Sequence, residues 1–494
     1  MTTRLPSKIT AWITWGVITL SLMSSCAPTG EIPSETSSTA TPTLIQPTPM
    51  PTRPKYSPGE LVDYTAQSGD TLPALAAHFN TTENEIRDAN PILPAQVTTL
   101  PAGLPMKIPI YYRALWGSSF HIIPDDMFVD GPAQVGFNAV TFVNDQPGWL
   151  KNHREYADGQ WLTGGQIINY IGITYSVSPR LLLAILEYQT HALTDPTEPT
   201  GNYPLGYVST SYPGLYLQLT WAANTLNNGY YGWRTGKLVT FDHIEGTEEA
   251  PDPWQNAATV GIQYYFAQVL STDKYNQAIS SIGLAQTFET LLGNPWNSAT
   301  DVMPGSLQQP PMSFPFQVGT PWTFTGGPHT GWGTGDPFAA LDFAPPTNVS
   351  GCVPSGEWVT AMANGVIART DTGLVILDLD GDGDERTGWV ILYLHLADND
   401  KVAVGTHVHK GDPIGHPSCL GGEATGTHVH IARKYNGEWV PAGGPLAFVM
   451  DGWTVHSTGV AYQGYMTNQG STVTACVCSD MGSRIVITAT PASP

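Results

Sequence analysis

Four short segments in the last third of the sequence carry side chains that together could hold a divalent cation. They are Pro328-His329-Thr330 with Leu341-Asp342-Phe343, Tyr393-Leu394-His395-Leu396, and Thr427-His428-Val429-His430. A catalytic zinc takes three protein ligands from His, Asp or Glu and keeps a fourth position open. In an extended strand, residues two apart point to the same face, so His428 and His430 project together. One of them can bind a metal while the other stands beside the attacking water. Hydrolysis is the chemistry this pattern implies. Rivals exist among the 13 histidines, because His407 and His409 repeat the His-Val-His spacing. Asp336 competes with Asp342, but it lies in a Gly/Thr/Pro loop, whereas Asp342 lies in a strand-like apolar run.

Short, Gly-punctuated apolar runs position these groups. Strands are predicted at 359–361, 365–368, 374–379, 389–396 and 427–432, which gives an antiparallel sheet or sandwich. The acidic run Asp378-Leu379-Asp380-Gly381-Asp382 suggests a calcium loop. The twelfth position from Asp378 is Trp389, however, where such a loop needs a bidentate glutamate, so a polar hairpin turn is expected.

Gly326-Gly327-Pro328-His329 followed by Ala340-Leu341-Asp342-Phe343-Ala344 resembles the first half of the lysostaphin-like zinc metallopeptidases. The long His-to-Asp gap is similar to the beta-lytic branch. Val366, Tyr393-Leu394-His395-Leu396, Gly411-Asp412, Ile414-Gly415 and Gly426-Thr427-His428-Val429-His430 continue the resemblance in order, over roughly 315–450. It implies zinc held by His329, Asp342 and His430, with His395 and His428 as the catalytic imidazoles. It also places His407 and His409 in an exposed hairpin. The sequence has no His-Glu-x-x-His motif, so imidazoles must do the proton transfer that a glutamate performs in other zinc peptidases.

Upstream, residues 61–112 read as strand, two short helices and strand. Gly69-Asp70-Thr71-Leu72, Ala76, Phe79, Ile86, Asn90-Pro91 and Ile108-Pro109 resemble a LysM module. The resemblance implies binding of N-acetylglucosamine-containing glycan through exposed loops at Gly69, Asp70 and Thr71 and at Asn90 and Pro91. Most of these residues are also what the fold itself requires. Helical periodicity marks 164–175, 179–190, 256–270 and 278–292. Ser178-Pro179-Arg180-Leu181 through Glu187 resembles the start of a lysozyme-like domain, in which Glu187 would be a general acid. Tyr188 departs from that pattern, and a capping or surface carboxylate is the alternative.

Arg4 and Lys8 precede an apolar stretch over 9–23, which reads as an export signal too short for a membrane span. Leu22-Met23-Ser24-Ser25-Cys26 resembles a lipoprotein cleavage box, which would make Cys26 the lipidated residue; plain secretion is the alternative. Setting Cys26 aside leaves four cysteines in an oxidising compartment. Cys352 with Cys419 is the expected disulfide, because both would flank the zinc groove, and the state of Cys476 and Cys478 stays open. A net charge of -21 argues against nucleic acid as a partner.

The expected protein is a multidomain α+β chain. It has an export signal over 1–26, a Ser/Thr/Pro-rich linker over 27–60, and a βααβ LysM module over 61–112. A mainly helical domain over 115–300 follows, then an antiparallel β-sheet zinc peptidase domain over 315–450 and a β extension over 451–494. The expected activity is that of a cell-envelope peptidoglycan endopeptidase that works as a monomer, with zinc as cofactor and no membrane contact beyond a lipid anchor. The alternatives are a non-catalytic peptidoglycan-binding scaffold or activator, and a lytic glycosidase acting through Glu187.

Overall fold

The computed structural model describes residues 55–487 apart from 114, 348 and 479. The export signal, Cys26 and most of the linker lie outside the described residues. Among the described residues, no helix is long and apolar enough to cross a membrane.

The N-terminal module is β1 (Glu60–Thr65), α1 (Leu72–His78), α2 (Glu83–Ala89) and β2 (Pro105–Ile110), with the two strands paired antiparallel. Thr71 and Thr82 cap the two helices, the latter in a reciprocal capping box with Glu85. Leu75, Phe79, Ile86 and Ile108 form its small core.

The middle region contains α3 (Ala139–Asn144) and two small hairpins. The first is β3 (Arg154–Ala157) with β4 (Gln160–Thr163), and the second is β5 (Phe241–Asp242) with β6 (Glu248–Glu249). Its main helices are α4 (Gly164–Tyr175), α5 (Pro179–Thr190), α6 (Gly214–Arg234), α7 (Ala257–Ala267), α8 (Thr272–Ala278) and α9 (Leu284–Leu292). The structure places α4 and α5 at their predicted bounds, where Thr163 and Ser178 supply the N-caps. Two expectations need correction. The helix predicted over 278–292 begins only at Leu284, as α9; Ala278 is the last residue of α8, and at Gly283 between them an added Cβ would lie 2.2 Å from the Ala278 carbonyl oxygen. The 21-residue α6 was not predicted at all. Its buried face includes Gln218 and Asn227, which satisfy the carbonyls of Tyr207, Tyr212 and Tyr175. These amides give the sequence a loop-like texture.

The C-terminal third contains β7 (Trp322–His329), β8 (Ala340–Ala344), β9 (Val359–Thr360), β10 (Gly365–Asp371), β11 (Leu374–Asp378) and β12 (Trp389–Leu394). There follow β13 (His407–Val408), β14 (Pro413–Gly415), β15 (Val429–Tyr435), β16 (Glu438–Trp439) and β17 (Val449–Met450), then β18 (Trp453–Ser457), β19 (Gly464–Asn468), β20 (Ser471–Thr474) and β21 (Arg484–Ile485). Nine of these make one antiparallel sheet in the order β13-β10-β11-β12-β15-β8-β7-β21, with β16 paired to β15. Strands β17 to β20 form a second, four-stranded sheet.

Alternation along the large sheet sorts its side chains between two cores. Val375, Leu377, Ile391, Tyr393 and Ile431 face a core shared with the four-stranded sheet. Ile376, Val390, Leu392 and Ala432 instead join the core of the helical region. Burial on both faces explains why these strands read as continuous apolar runs rather than alternating ones. The acidic run after β11 is a turn, as expected: Asp378 accepts backbone N–H bonds from Asp380, Gly381 and Gly383.

Candidate active site

Pairing places the candidate ligands on three adjacent strands. His430 on β15 stands opposite Asp342 on β8, and His329 ends the neighbouring β7. All three are buried. The His329 Nδ1–H donates to the Gly327 carbonyl at 2.8 Å, and the His430 Nε2–H donates to the Gly331 carbonyl at 3.1 Å. With those tautomers fixed, His329 Nε2 and His430 Nδ1 face each other at 3.1 Å as two lone pairs, which cannot bond to one another. Asp342 Oδ1 lies 3.3 Å from each of them. It is buried and accepts no hydrogen bond of acceptable geometry.

A tetrahedral cation with ligand bonds of about 2.0 Å needs ligand-to-ligand edges of about 3.3 Å. The observed triangle of 3.1, 3.3 and 3.3 Å has that size. Burial pushes the Asp342 carboxyl up, but the neighbouring His329, His430 and His428 imidazoles more than offset this and hold it well below the usual carboxylate range. The donor set therefore fits zinc, with backbone carbonyls orienting both imidazoles from behind.

Two further imidazoles border this triangle. His395 donates from Nδ1 to the Leu420 carbonyl at 2.8 Å, and His428 donates from Nδ1 to the Gly426 carbonyl at 2.7 Å. Each keeps Nε2 as a free acceptor. His428 Nε2 is 3.6 Å from Asp342 Oδ1, and the two rings lie 4.5 Å apart. Burial, reinforced by His428 and His430, pulls the His395 imidazole down to about 4, so it is neutral near pH 7.

Tyr462 was missed by sequence reasoning, because it lies in the hairpin between β18 and β19, outside every motif. Its ring stacks on His329 at 4.2 Å, and its carbonyl accepts the Gly327 N–H at 2.9 Å. His395 and Tyr462 both have φ of 64°. That region is rare for residues with a side chain and concentrates at functional sites. The site opens into a groove of about 690 Å³ bordered by Pro345, Gly351, His428, Tyr462 and Val477. Cys352 and Cys419 are joined beside it, and Cys476 is joined to Cys478.

The competing residues lie elsewhere. Asp336 pairs with Lys237, and His409 is exposed in the turn with Asp412. Glu187 is buried, and its two oxygens accept the Leu193 N–H at 2.7 Å and the Thr194 hydroxyl at 2.5 Å. It fastens the turn that follows α5.

The LysM residues also need correction. Asp70 and Asn90 are buried rather than exposed. Asp70 accepts the Tyr64 hydroxyl at 2.6 Å, Thr71 caps α1, and Asn90 bridges Ile86 to Lys107. Gly69 abuts the Arg234 guanidinium, and of the five only Pro91 is exposed. Residues 303–307 run across both LysM loops. The Met303 N–H donates to Ser68 Oγ at 2.8 Å, and the Ser306 N–H donates to the Thr99 carbonyl at 2.8 Å.

Three stretches of the chain match known protein families. The family described as Peptidase family M23 matches residues 349–442, a stretch that includes His395, His428 and His430. This chain carries an M23 metallopeptidase domain. The LysM domain family matches residues 64–109 upstream of it, and the N-terminal domain of LasA matches residues 121–306. The chain is similar to Protease LasA of Pseudomonas aeruginosa, 25% identical over 335 residues, which cover 64% of this chain and 74% of that protein. The beta-lytic metalloendopeptidase of Achromobacter lyticus is 30% identical over 36% of this chain and 46% of its own length. That of Lysobacter enzymogenes is 28% identical over 32% of this chain and 89% of its own length. Among solved structures, the M23 metalloprotease pseudoalterin aligns over 34% of this chain and 96% of its own, at 24% identity and a TM-score of 0.30.

Proposed function

We propose that this protein is an exported cell-wall zinc endopeptidase that hydrolyses peptide bonds of peptidoglycan. His329, Asp342 and His430 hold the metal, and His395 and His428 move the protons. The observation that carries this reading is the buried triangle of two lone pairs and one orphaned carboxylate oxygen, flanked by two imidazoles with free Nε2 atoms. When bound, zinc supplies a Lewis acid that acidifies water and polarises the scissile carbonyl.

The chain's own residues supply the rest. A neutral imidazole, His395 or His428, takes the proton of the attacking water on Nε2. The resulting imidazolium donates a hydrogen bond to the developing oxyanion and then passes its proton to the leaving amine. The carbonyls of Leu420 and Gly426 hold these rings in the tautomer that leaves Nε2 ready. Tyr462 stacks on His329 and forms one wall of the groove. The LysM module retains the enzyme on the glycan and raises the local concentration of peptide substrate. Export, anchoring through Cys26 and action as a monomer complete the proposal.

Glycan cleavage by Glu187 is disfavoured, since both of its oxygens are committed to the turn after α5. Mass spectrometry of digested sacculi tests the assignment. New peptide ends are expected with the wild type, none with His430→Ala or His395→Ala, and His395→Ala should retain stoichiometric zinc. Products lost only with Glu187→Gln would transfer the activity to the middle domain.

A further inference from the structure

The carbonyl that orients His430 belongs to Gly331, in an irregular loop running from His329 to β8. Gly333, Thr334 and Gly335 in this loop are exposed, so packing alone does not fix their path. Helix α6 of the middle domain grips it. The Asn224 side chain accepts the Thr334 N–H at 2.7 Å and donates to the Thr334 hydroxyl at 3.1 Å. Asn228 accepts the Asp336 N–H at 2.7 Å, and Lys237 pairs with the Asp336 carboxylate at 2.6 Å. Asn224 and Asn228 are one helical turn apart and so present their amides side by side. Gly333 and Gly335 have φ of 82° and 90°, and an added Cβ would lie 2.4 and 2.0 Å from the two amide oxygens. Loop and helix are thus fitted to each other.

Gly331 is also packed against Trp439, whose N–H groups donate to the Tyr231 hydroxyl and the Tyr175 carbonyl of the same helical region. Asp342 and His430 lie on the sheet face that this region covers, since their neighbours Ala340 and Ala432 belong to its core. A carbonyl behind a ligating imidazole sets the orientation of that ligand.

We infer that Asn224 and Asn228 of the middle domain are positioning residues for the metal centre, holding the 330–336 loop so that Gly331 keeps His430 aimed at the ion. This rests on the zinc reading above and extends it, because it makes the LasA-like region part of the active-site scaffold rather than a spacer. The contact is one step removed from the ligand, so its loss should speed metal release about 3- to 10-fold, at or below the low end of what direct outer partners contribute.

The test uses the full chain loaded with Co²⁺, reading chelator-driven release, the visible absorption of the bound ion and the thermal midpoint. Asn224→Ala and Asn228→Ala are expected to release cobalt faster and to alter its absorption at an unchanged midpoint. Asn224→Asp keeps the acceptor for the Thr334 N–H and should restore slow release. Should one alanine variant fail to fold, the other decides. Wild-type release rates and spectra in both folded alanine variants would overturn the inference while leaving the zinc reading intact. A wild-type protein that takes up no cobalt would instead remove the zinc reading, and this inference with it.

Discussion

Replacing Gly326 by alanine probes the metal site without touching any ligand. Gly326 on β7 is the register partner of Asp342 on β8. A Cβ built there would lie 2.3 Å from Asp342 Oδ2, 2.9 Å from Cγ and 3.0 Å from Cβ. Asp342 cannot simply swing aside, since it is buried and faced by His329, His428 and His430. Overpacking a fitted site costs about 1–3 kcal/mol. If that strain is relieved by displacing the carboxylate from the ion, metal affinity falls by about 5- to 150-fold. Competition against a fluorescent zinc chelator reads this directly, and thermal melting of the metal-free protein checks that the fold survives. Gly356→Ala, where nothing lies within 4 Å of the added atom, is the matched control. A Gly326→Ala protein that binds zinc as tightly as the control would refute the idea that Asp342 must stay where β7 and β8 put it.

Three other outcomes are expected. Glu187→Ala leaves the Leu193 N–H unpaired and should destabilise the protein by about 1–3 kcal/mol in denaturant melts, with peptidase kcat unchanged in Glu187→Gln. His78, stacked 3.5 Å from Trp233 and donating to its carbonyl, is pulled down to about 3 by burial. The unfolded chain takes up a proton below about 6.5 that the folded one refuses, so stability should fall by up to about 1.4 kcal/mol per pH unit between there and pH 3; melts of His78→Phe should lack this component. Residues 303–307 occupy the span between the two LysM loops, so displacing them with Met303→Asp should increase retention on insoluble N-acetylglucosamine polymer, and equal retention would show that those loops are not the glycan contact.

Residues whose local chemistry agrees with their long-range role were legible. Val429 to Ala432 reads as a strand because a short, largely apolar run suits a strand buried on both faces, and α4 and α5 read at their bounds because cap residues precede regular apolar spacing. Helix α6 was opaque because Gln218 and Asn227 are buried by hydrogen bonds to distant carbonyls, a form of burial that composition cannot reveal. Tyr462 was invisible for a related reason, since the turn that carries it meets His329 only once β18 and β19 fold over β7. For Asp70 and Asn90 the motif was legible but its meaning was divided. The same residues build the module and border its loops, and the structure gives them the first task.

Arg234, at the end of α6, has almost no contact with solvent. It forms ion pairs with Asp125 at 3.0 Å and Glu438 at 2.9 Å, and it donates to the Ser68 carbonyl. One guanidinium therefore rivets LysM module, helical region and peptidase sheet at a single point. The three modules are separable by sequence but not by mechanics. A protease that nicked a connecting loop would leave the pieces clasped, and grafting this LysM module onto another enzyme would strip a charged knot of one of its strands.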